Sequence, residues 1–294
     1  METQTPDVKR AEFLARRRKG VFATDVAPIC RLSRFGYGPL DVAVDKLLAR
    51  ERPENESQRL GRWLEPIVGR LYEERTGTKL EEAPPAFGSP LPWMGAHADW
   101  IGGTRKLVEG KTTGDSRGWG DPEFEQVPQD IFLQVQWQMA CYGADEADVA
   151  VLFNLSEFVI YPIRRDRAVI DRAIDICGRF WDIVGKGNYP ELDWTDPRTP
   201  ELVPLLHRPD KAKHVQLAEE DLALVKEYQE LGRAIATMET LRKEQKARIM
   251  DRMGDAGVGL LPDGRRVANT VVTVKTHTVE THTSRRLFVS GGGR

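Results

Sequence analysis

Apolar positions change their spacing several times along the chain, and each change marks an element. Leu60, Leu64, Ile67 and Leu71 recur at helical intervals ahead of Gly77. They predict a helix through Gly61–Tyr72 with Glu65 off its apolar stripe. Pro66 cannot donate a helical hydrogen bond, so the helix should kink or restart there. Two strands, 96–101 and 105–112, are expected around Gly102-Gly103-Thr104. A helix carrying Gln134 and Gln136 follows Pro128. Ala147–Leu155 and Phe158–Ile163 are apolar and β-branched and read as two further strands. Ile170, Ile174, Cys177 and Trp181 place a helix over Asp166–Gly187 and belong to its core face.

Beyond residue 195 the pattern becomes polar and proline-rich as far as Pro209, as in a linker along the surface. A long helix then runs from Ala218 to Met253 and stops at Gly254. Its Leu224, Tyr228, Leu231, Ile235, Met238 and Ile249 alternate steps of three and four, broken by Arg242 and Gln245. This is the pattern of a short coiled-coil or docking helix. A turn at Pro262-Asp263-Gly264 and the Val- and Thr-rich stretch Val267–Val279 predict a β-hairpin. Packing on the core, self-association and partner binding all remain open for this extension.

The charged residues of the 96–112 hairpin carry the candidate chemistry. Side chains alternate along a strand, so Glu109 and Lys111 share a face. Asp99 joins them only if the loop is odd, and a three-residue loop is therefore expected. Clustered carboxylates repel unless a cation lies between them, and oxygen donors favour a hard ion such as Mg²⁺ or Mn²⁺. A lysine beside such an ion can orient or help deprotonate an attacking water and offset charge in a phosphoryl transition state. A solvated charged hairpin would carry the same residue types, and Glu244-Gln245-Lys246 repeats the acid-x-Lys spacing with no chemistry assigned. Residues two apart on a helix face opposite ways, so only one of Gln134 and Gln136 reaches a shared site.

The 294 residues are 40% hydrophobic, enough for a sizeable core in one or two domains. Lysine and arginine number 43 against 45 acidic residues, a net charge of −2. That balance argues against a general polyelectrolyte binder, so attraction to a polyanion would come from local patches such as Arg16–Lys19, Arg31, Arg34 and Arg105-Lys106. Cys30, Cys141 and Cys177, odd in number and far apart, read as reduced thiols of a cytoplasmic protein. They cannot supply the four ligands of an iron–sulfur cluster. No signal peptide or apolar run of membrane-spanning length is found, so no membrane partner is expected.

The ordered series Gly61…Glu65-Pro66, Gly95-Ala-His-Ala-Asp99, Glu109-Gly-Lys111, Gln134-Val-Gln136 and Phe180-Trp181…Val184…Gly187…Pro190 resembles the YqaJ-type viral recombinases. These are relatives of lambda exonuclease among the PD-(D/E)XK nucleases. The likeness covers about residues 11–195. It implies an α/β core with a central mixed sheet flanked by helices, extended at the C-terminus by the long helix and β-hairpin. The domain boundaries that follow are a nuclease domain at 1–197, a linker at 198–214 and the extension at 215–294.

The resemblance further implies that Glu65, Asp99, Glu109 and the Gly110 carbonyl hold one or two Mg²⁺ ions. Lys111 would activate water, and Gln134 would steady the water or the scissile phosphate. Arg18 and Thr24 match the segment that binds a DNA 5′-phosphate. The family proline before the aspartate is Ala98 here, and a small hydroxyl residue is replaced by His97. His97 either donates to the terminal phosphate or caps the hairpin, the second being favoured. Trp119, in the loop 113–128, either stacks on DNA or pins its own loop. The activity implied is 5′–3′ degradation of linear double-stranded DNA ends to mononucleotides. It would leave 3′ strands for a single-strand annealing partner, with a homotrimer encircling the duplex. The same core also serves structure- or sequence-selective endonucleases, and a catalytically silent DNA-end-binding scaffold is the third reading.

Overall fold

The computed structural model describes residues 15–50, 52–103, 105–210 and 212–270. The chain divides into two compact units, residues 1–208 and 209–294. The first begins with β1 (Val21–Phe22), α1 (Ala23–Ile29), α2 (Pro39–Leu47) and α3 (Glu56–Thr76). Next come β2 (Leu80–Glu82), β3 (Ala86–Phe87), β4 (Met94–Ala96), β5 (Trp100–Gly102) and β6 (Lys106–Thr113). The unit closes with α4 (Gln129–Tyr142), β7 (Glu146–Phe153), β8 (Glu157–Arg164), α5 (Arg167–Val184) and α6 (Thr199–Leu206).

A five-stranded mixed sheet in the order β2-β5-β6-β7-β8 forms the centre, with β6 and β7 parallel and the other neighbours antiparallel. Alternation along β7 sends Val149 and Val151 toward α4, whose Ile131, Val135 and Met139 lie in the same core cluster. Ala150 and Leu152 face the other way and pack with Val68 and Tyr72 of α3. Helix α4 is buried on a second side as well. Its Leu133 and Trp137 join α1, α5 and the small sheet β1-β4-β3 in a separate cluster.

Several expectations are revised. The strand expected over 96–101 is two strands in two sheets: Ala96 ends β4, and β5 starts at Trp100. The loop does hold three residues, but they are 103–105, because Gly102 pairs with Lys106. Helix α3 neither breaks nor restarts at Pro66. Its buried residues are Val68, Gly69 and Tyr72, while Leu60 and Ile67 are exposed. The inward stripe therefore runs through Glu65, and the reason is Gly69. A Cβ there would come 3.0 Å from the Trp100 ring, so only glycine lets this face approach β5.

The expected linker is, in its first half, helix α6. Pro200 lies in its first turn, where the missing N–H costs nothing, and Leu202 is buried with Leu40 and Val44. Cys30 and Cys177, remote in sequence, belong to the same core cluster around α1 and α5.

The second unit contains the long α7 (Asp221–Met253) and the antiparallel pair β9 (Val258–Leu260) and β10 (Arg266–Ala268). The hairpin therefore turns about the expected Pro262-Asp263-Gly264 segment. Residues 271–279 of the anticipated strand region lie outside the described residues. Among the described residues, no helix is long and apolar enough to cross a membrane.

Candidate active site

The site is assembled where β6 passes α4. Alternation on β6 puts Leu107, Glu109 and Lys111 on the α4 face and Val108 on the α3 face. The register continued from Trp100↔Val108 sets Asp99 opposite Glu109, and Asp99 Oδ2 accepts from the Gly110 amide at 2.8 Å. Glu109 is almost wholly buried and has both oxygens engaged. Its Oε1 accepts from Lys111 Nζ and from Gln134 Nε2, each at 2.5 Å, and its Oε2 accepts from Gln138 Nε2 at 2.7 Å. Lys111 Nζ also donates to Gln134 Oε1 at 3.4 Å.

Gln138 escaped the sequence reading, yet its signal was present. It stands four residues after Gln134, one turn along the same helix face. Its amide also donates to the His97 carbonyl at 3.0 Å, tying the β4–β5 connection to the site. Gln136 turns away. It donates to the Arg164 carbonyl and accepts from the Asp166 amide, fixing the entry to α5.

Three acids respond to one another. Burial and then the charge of Glu109 raise the Asp99 carboxyl well above its ordinary range. Glu65 is raised by the same two causes in the same order, although Lys111 opposes them. Burial lowers Lys111, but the charges of Glu109 and Asp99 outweigh it and hold the amine protonated beyond its usual range. Among the described residues, no three His, Cys, Asp or Glu side chains are gathered to hold an ion as they stand. Lys111 and the two glutamine amides occupy the oxygens of Glu109. The residue types nevertheless fit a hard divalent cation, since the donors are all oxygens and the acids carry more charge than one ammonium offsets. Gln138 Oε1 is buried without a hydrogen-bond donor among the described residues, which fits a water carried by such an ion.

Arg18 and Thr24 line a separate cavity of about 500 Å³, together with Arg17, Lys46, Arg50 and Arg52. The guanidinium that meets the Thr24 hydroxyl is that of Arg17, at 2.9 Å. Asp25 locks the same Arg17 at 2.9 Å and accepts from the buried Lys46 at 2.7 Å. Lys46, Arg50 and Arg52 are basic lining that the sequence reading missed, because they come from α2 and the stretch after it. Three other cationic candidates are neutralised: Arg31 by Asp193, Arg34 by Asp130 and Lys106 by Asp148.

His97 Nε2 donates to the Ala83 carbonyl at 3.1 Å, so it braces the backbone beside the site. Trp119 packs edge-on against Phe153 and tilted against Tyr161, with centroids 5.4 and 5.1 Å away. Both rings belong to the central sheet, in β7 and β8.

Residues 12–145 match the model of the YqaJ-like viral recombinase domain. That match covers somewhat under half of the chain, within its first unit. The match spans α1 to α4 and so includes each acid, Lys111 and both site glutamines. No curated protein matches the chain. Among solved structures, this chain is similar to an alkaline exonuclease, LHK-Exo, from Laribacter hongkongensis. Identity is 22%, with 60% of this chain and 93% of that one covered and a TM-score of 0.52. The same exonuclease in complex with dAMP gives 22% identity, 59% and 91% coverage and a TM-score of 0.51. The first unit therefore shares its fold, a mixed sheet flanked by helices, with these alkaline exonuclease structures.

Proposed function

We propose that the first unit, with its catalytic domain at residues 1–197, is a metal-dependent deoxyribonuclease. It would degrade linear double-stranded DNA from 5′ ends and release mononucleotides. The observation that carries this reading is the contact set at Glu109, where an ammonium and two amides converge on one buried carboxylate beside Asp99 and Glu65. The similarity to an alkaline exonuclease crystallised with dAMP supports it.

Glu65, Asp99, Glu109 and the Gly110 carbonyl would hold one or two Mg²⁺ ions, with Mn²⁺ as a substitute. Bound there, the ion supplies charge neutralisation and acidifies the attacking water. Lys111 donates from Nζ to the nucleophile or the scissile phosphate, and its charge offsets the transition state. Gln134 orients Lys111 and the water, and Gln138 fixes Glu109. The cavity of Arg17, Arg18 and Thr24 would seat the 5′-phosphate, with Asp25 and Lys46 setting the arginine. A homotrimer around the duplex and a single-strand annealing partner complete the reading by family resemblance.

Linear duplexes with one end blocked, with and without 5′-phosphates, are compared with closed circles in Mg²⁺. Mononucleotide release from open, phosphorylated ends alone is the expected result. Lys111→Ala should lower hydrolysis about 10³-fold while sparing end binding. Equal cutting of closed circles would overturn the exonuclease reading, and unchanged rates in the lysine variant would remove its role.

A further inference from the structure

Among the described residues of the second unit, helix α7 leaves most of an apolar seam uncovered. None of its 33 residues is buried, and Leu224, Leu231, Ile235 and Met238 are each more than half exposed. The seam Leu224, Tyr228, Leu231, Ile235 and Met238 alternates steps of four and three, which is the period of a left-handed coiled coil rather than of a helix laid on a sheet. Continued at the same spacing, the seam takes in Asp221 at its start and Arg242, Gln245, Ile249 and Arg252 at its end.

These polar seam residues select the occupant. A parallel, in-register pair would set Asp221, Arg242 and Arg252 each against its own copy, three like-charge contacts. An antiparallel pair centred between Ile235 and Met238 leaves no seam residue unmatched. Ile235 then meets Met238, Leu224 meets Ile249, Tyr228 meets Gln245, and Asp221 meets Arg252. Arg242 lays its aliphatic stem on Leu231. The flanking positions agree, since Glu227 falls opposite Arg248, twice by symmetry. A groove of about 300 Å³ lies on this face at its C-terminal third, lined by Gln245, Ile249, Met253 and by Val267 and Ala268 of the hairpin. In the antiparallel pairing the Leu224 and Tyr228 of the other helix enter that groove.

We propose that α7 is a homodimerisation element in which two copies of this chain pair as an antiparallel coiled coil. The pairing is independent of the nuclease reading, and its failure would leave that reading intact.

The test uses the full chain. Sedimentation should show that Ile235→Glu halves the mass of the assembly, whatever the first unit contributes. Glu227→Arg should weaken association on the order of tenfold, and adding Arg248→Glu should restore it, which separates pairing from misfolding. Under mild oxidation, Leu224→Cys protein mixed with Ile249→Cys protein should cross-link, while neither does so alone or in the parent chain. Self-cross-linking of the Leu224→Cys protein would overturn the antiparallel arrangement. An unchanged mass for Ile235→Glu would overturn the dimer and place the seam on the same chain or on another protein.

Discussion

Gly110 lies between Glu109 and Lys111, and the absence of a side chain there has a mechanical effect of its own. A Cβ at this position would stand 2.9 Å from Cζ3 and 3.0 Å from Cη2 of Trp100, and 3.4 Å from Val68 Cγ1. Favourable carbon contacts begin at about 3.5 Å, so the indole must move by more than half an ångström. On its other side it meets a second glycine. On α3, a Cβ at Gly69 would come 3.0 Å from the same ring, and the ring is thus held between two glycine surfaces. Overpacking of a core typically costs about 1–3 kcal/mol, and with contacts to both Trp100 and Val68 Gly110→Ala should cost about 2–3 kcal/mol.

All seven tryptophans of the sequence lie before residue 209, so urea unfolding followed by tryptophan fluorescence reports the first unit alone. Trp100→Leu removes the obstacle at its own cost of burial. In that background the Gly110→Ala penalty should shrink by at least about 1 kcal/mol, a coupling that a double-mutant cycle measures directly. A penalty under about 0.5 kcal/mol, or strict additivity of the two changes, would refute the wedge.

Three further outcomes follow from named contacts. Gln138→Leu deletes the donor to Glu109 Oε2 and to the His97 carbonyl, and hydrolysis should fall about 10–100-fold with a higher Mg²⁺ requirement; rates within twofold of the parent across a Mg²⁺ titration would sink the role. Burial raises the Asp25 carboxyl, but Lys46, Arg17 and the Phe22 amide outweigh it and hold it below its ordinary range. Its contribution to stability is therefore complete above the ordinary carboxylate value and is lost as pH falls through the lowered one. Lys46→Met should cost about 3–5 kcal/mol at neutral pH and flatten that acid limb, as urea midpoints measured against pH would show. The buried Tyr72 hydroxyl donates to Asp148 at 2.7 Å, so Tyr72→Phe should cost about 1.5–3 kcal/mol by urea unfolding, and a neutral result would mean that Lys106 alone satisfies Asp148.

The parity of the hairpin was legible because it depends only on alternation. Any odd loop puts Asp99, Glu109 and Lys111 on one face, so the one-residue shift to 103–105 left that conclusion intact. The inward face of α3 was not legible, since leucine and isoleucine outweighed Gly69 in the apolar pattern. A glycine at a helix–sheet crossing leaves no hydrophobic signal, although it decides which face can approach. Helix α6 was hidden for a related reason: three prolines in ten residues resemble a linker, whereas Pro200 sits where a first turn accepts it. The neighbours Cys30 and Cys177 are brought together only by the packing of α1 on α5, which no local pattern encodes.

Like charges cannot set their own spacing, because each carboxylate is pushed away from the next until something else holds it. Here the apolar wedge supplies that restraint. Trp100 is clamped between Gly69 of α3 and Gly110 of β6, and these two elements carry Glu65 and Glu109 respectively. Asp99 is adjacent to the wedge in sequence and is anchored by the Gly110 amide. The three acids are thereby fixed by one ring and two absent side chains, while Lys111, Gln134 and Gln138 distribute hydrogen bonds among oxygens already in place. The polar contacts are adjustable and the apolar frame is not, which is the division a site needs if its carboxylates are to exchange an ammonium partner for a cation without moving apart.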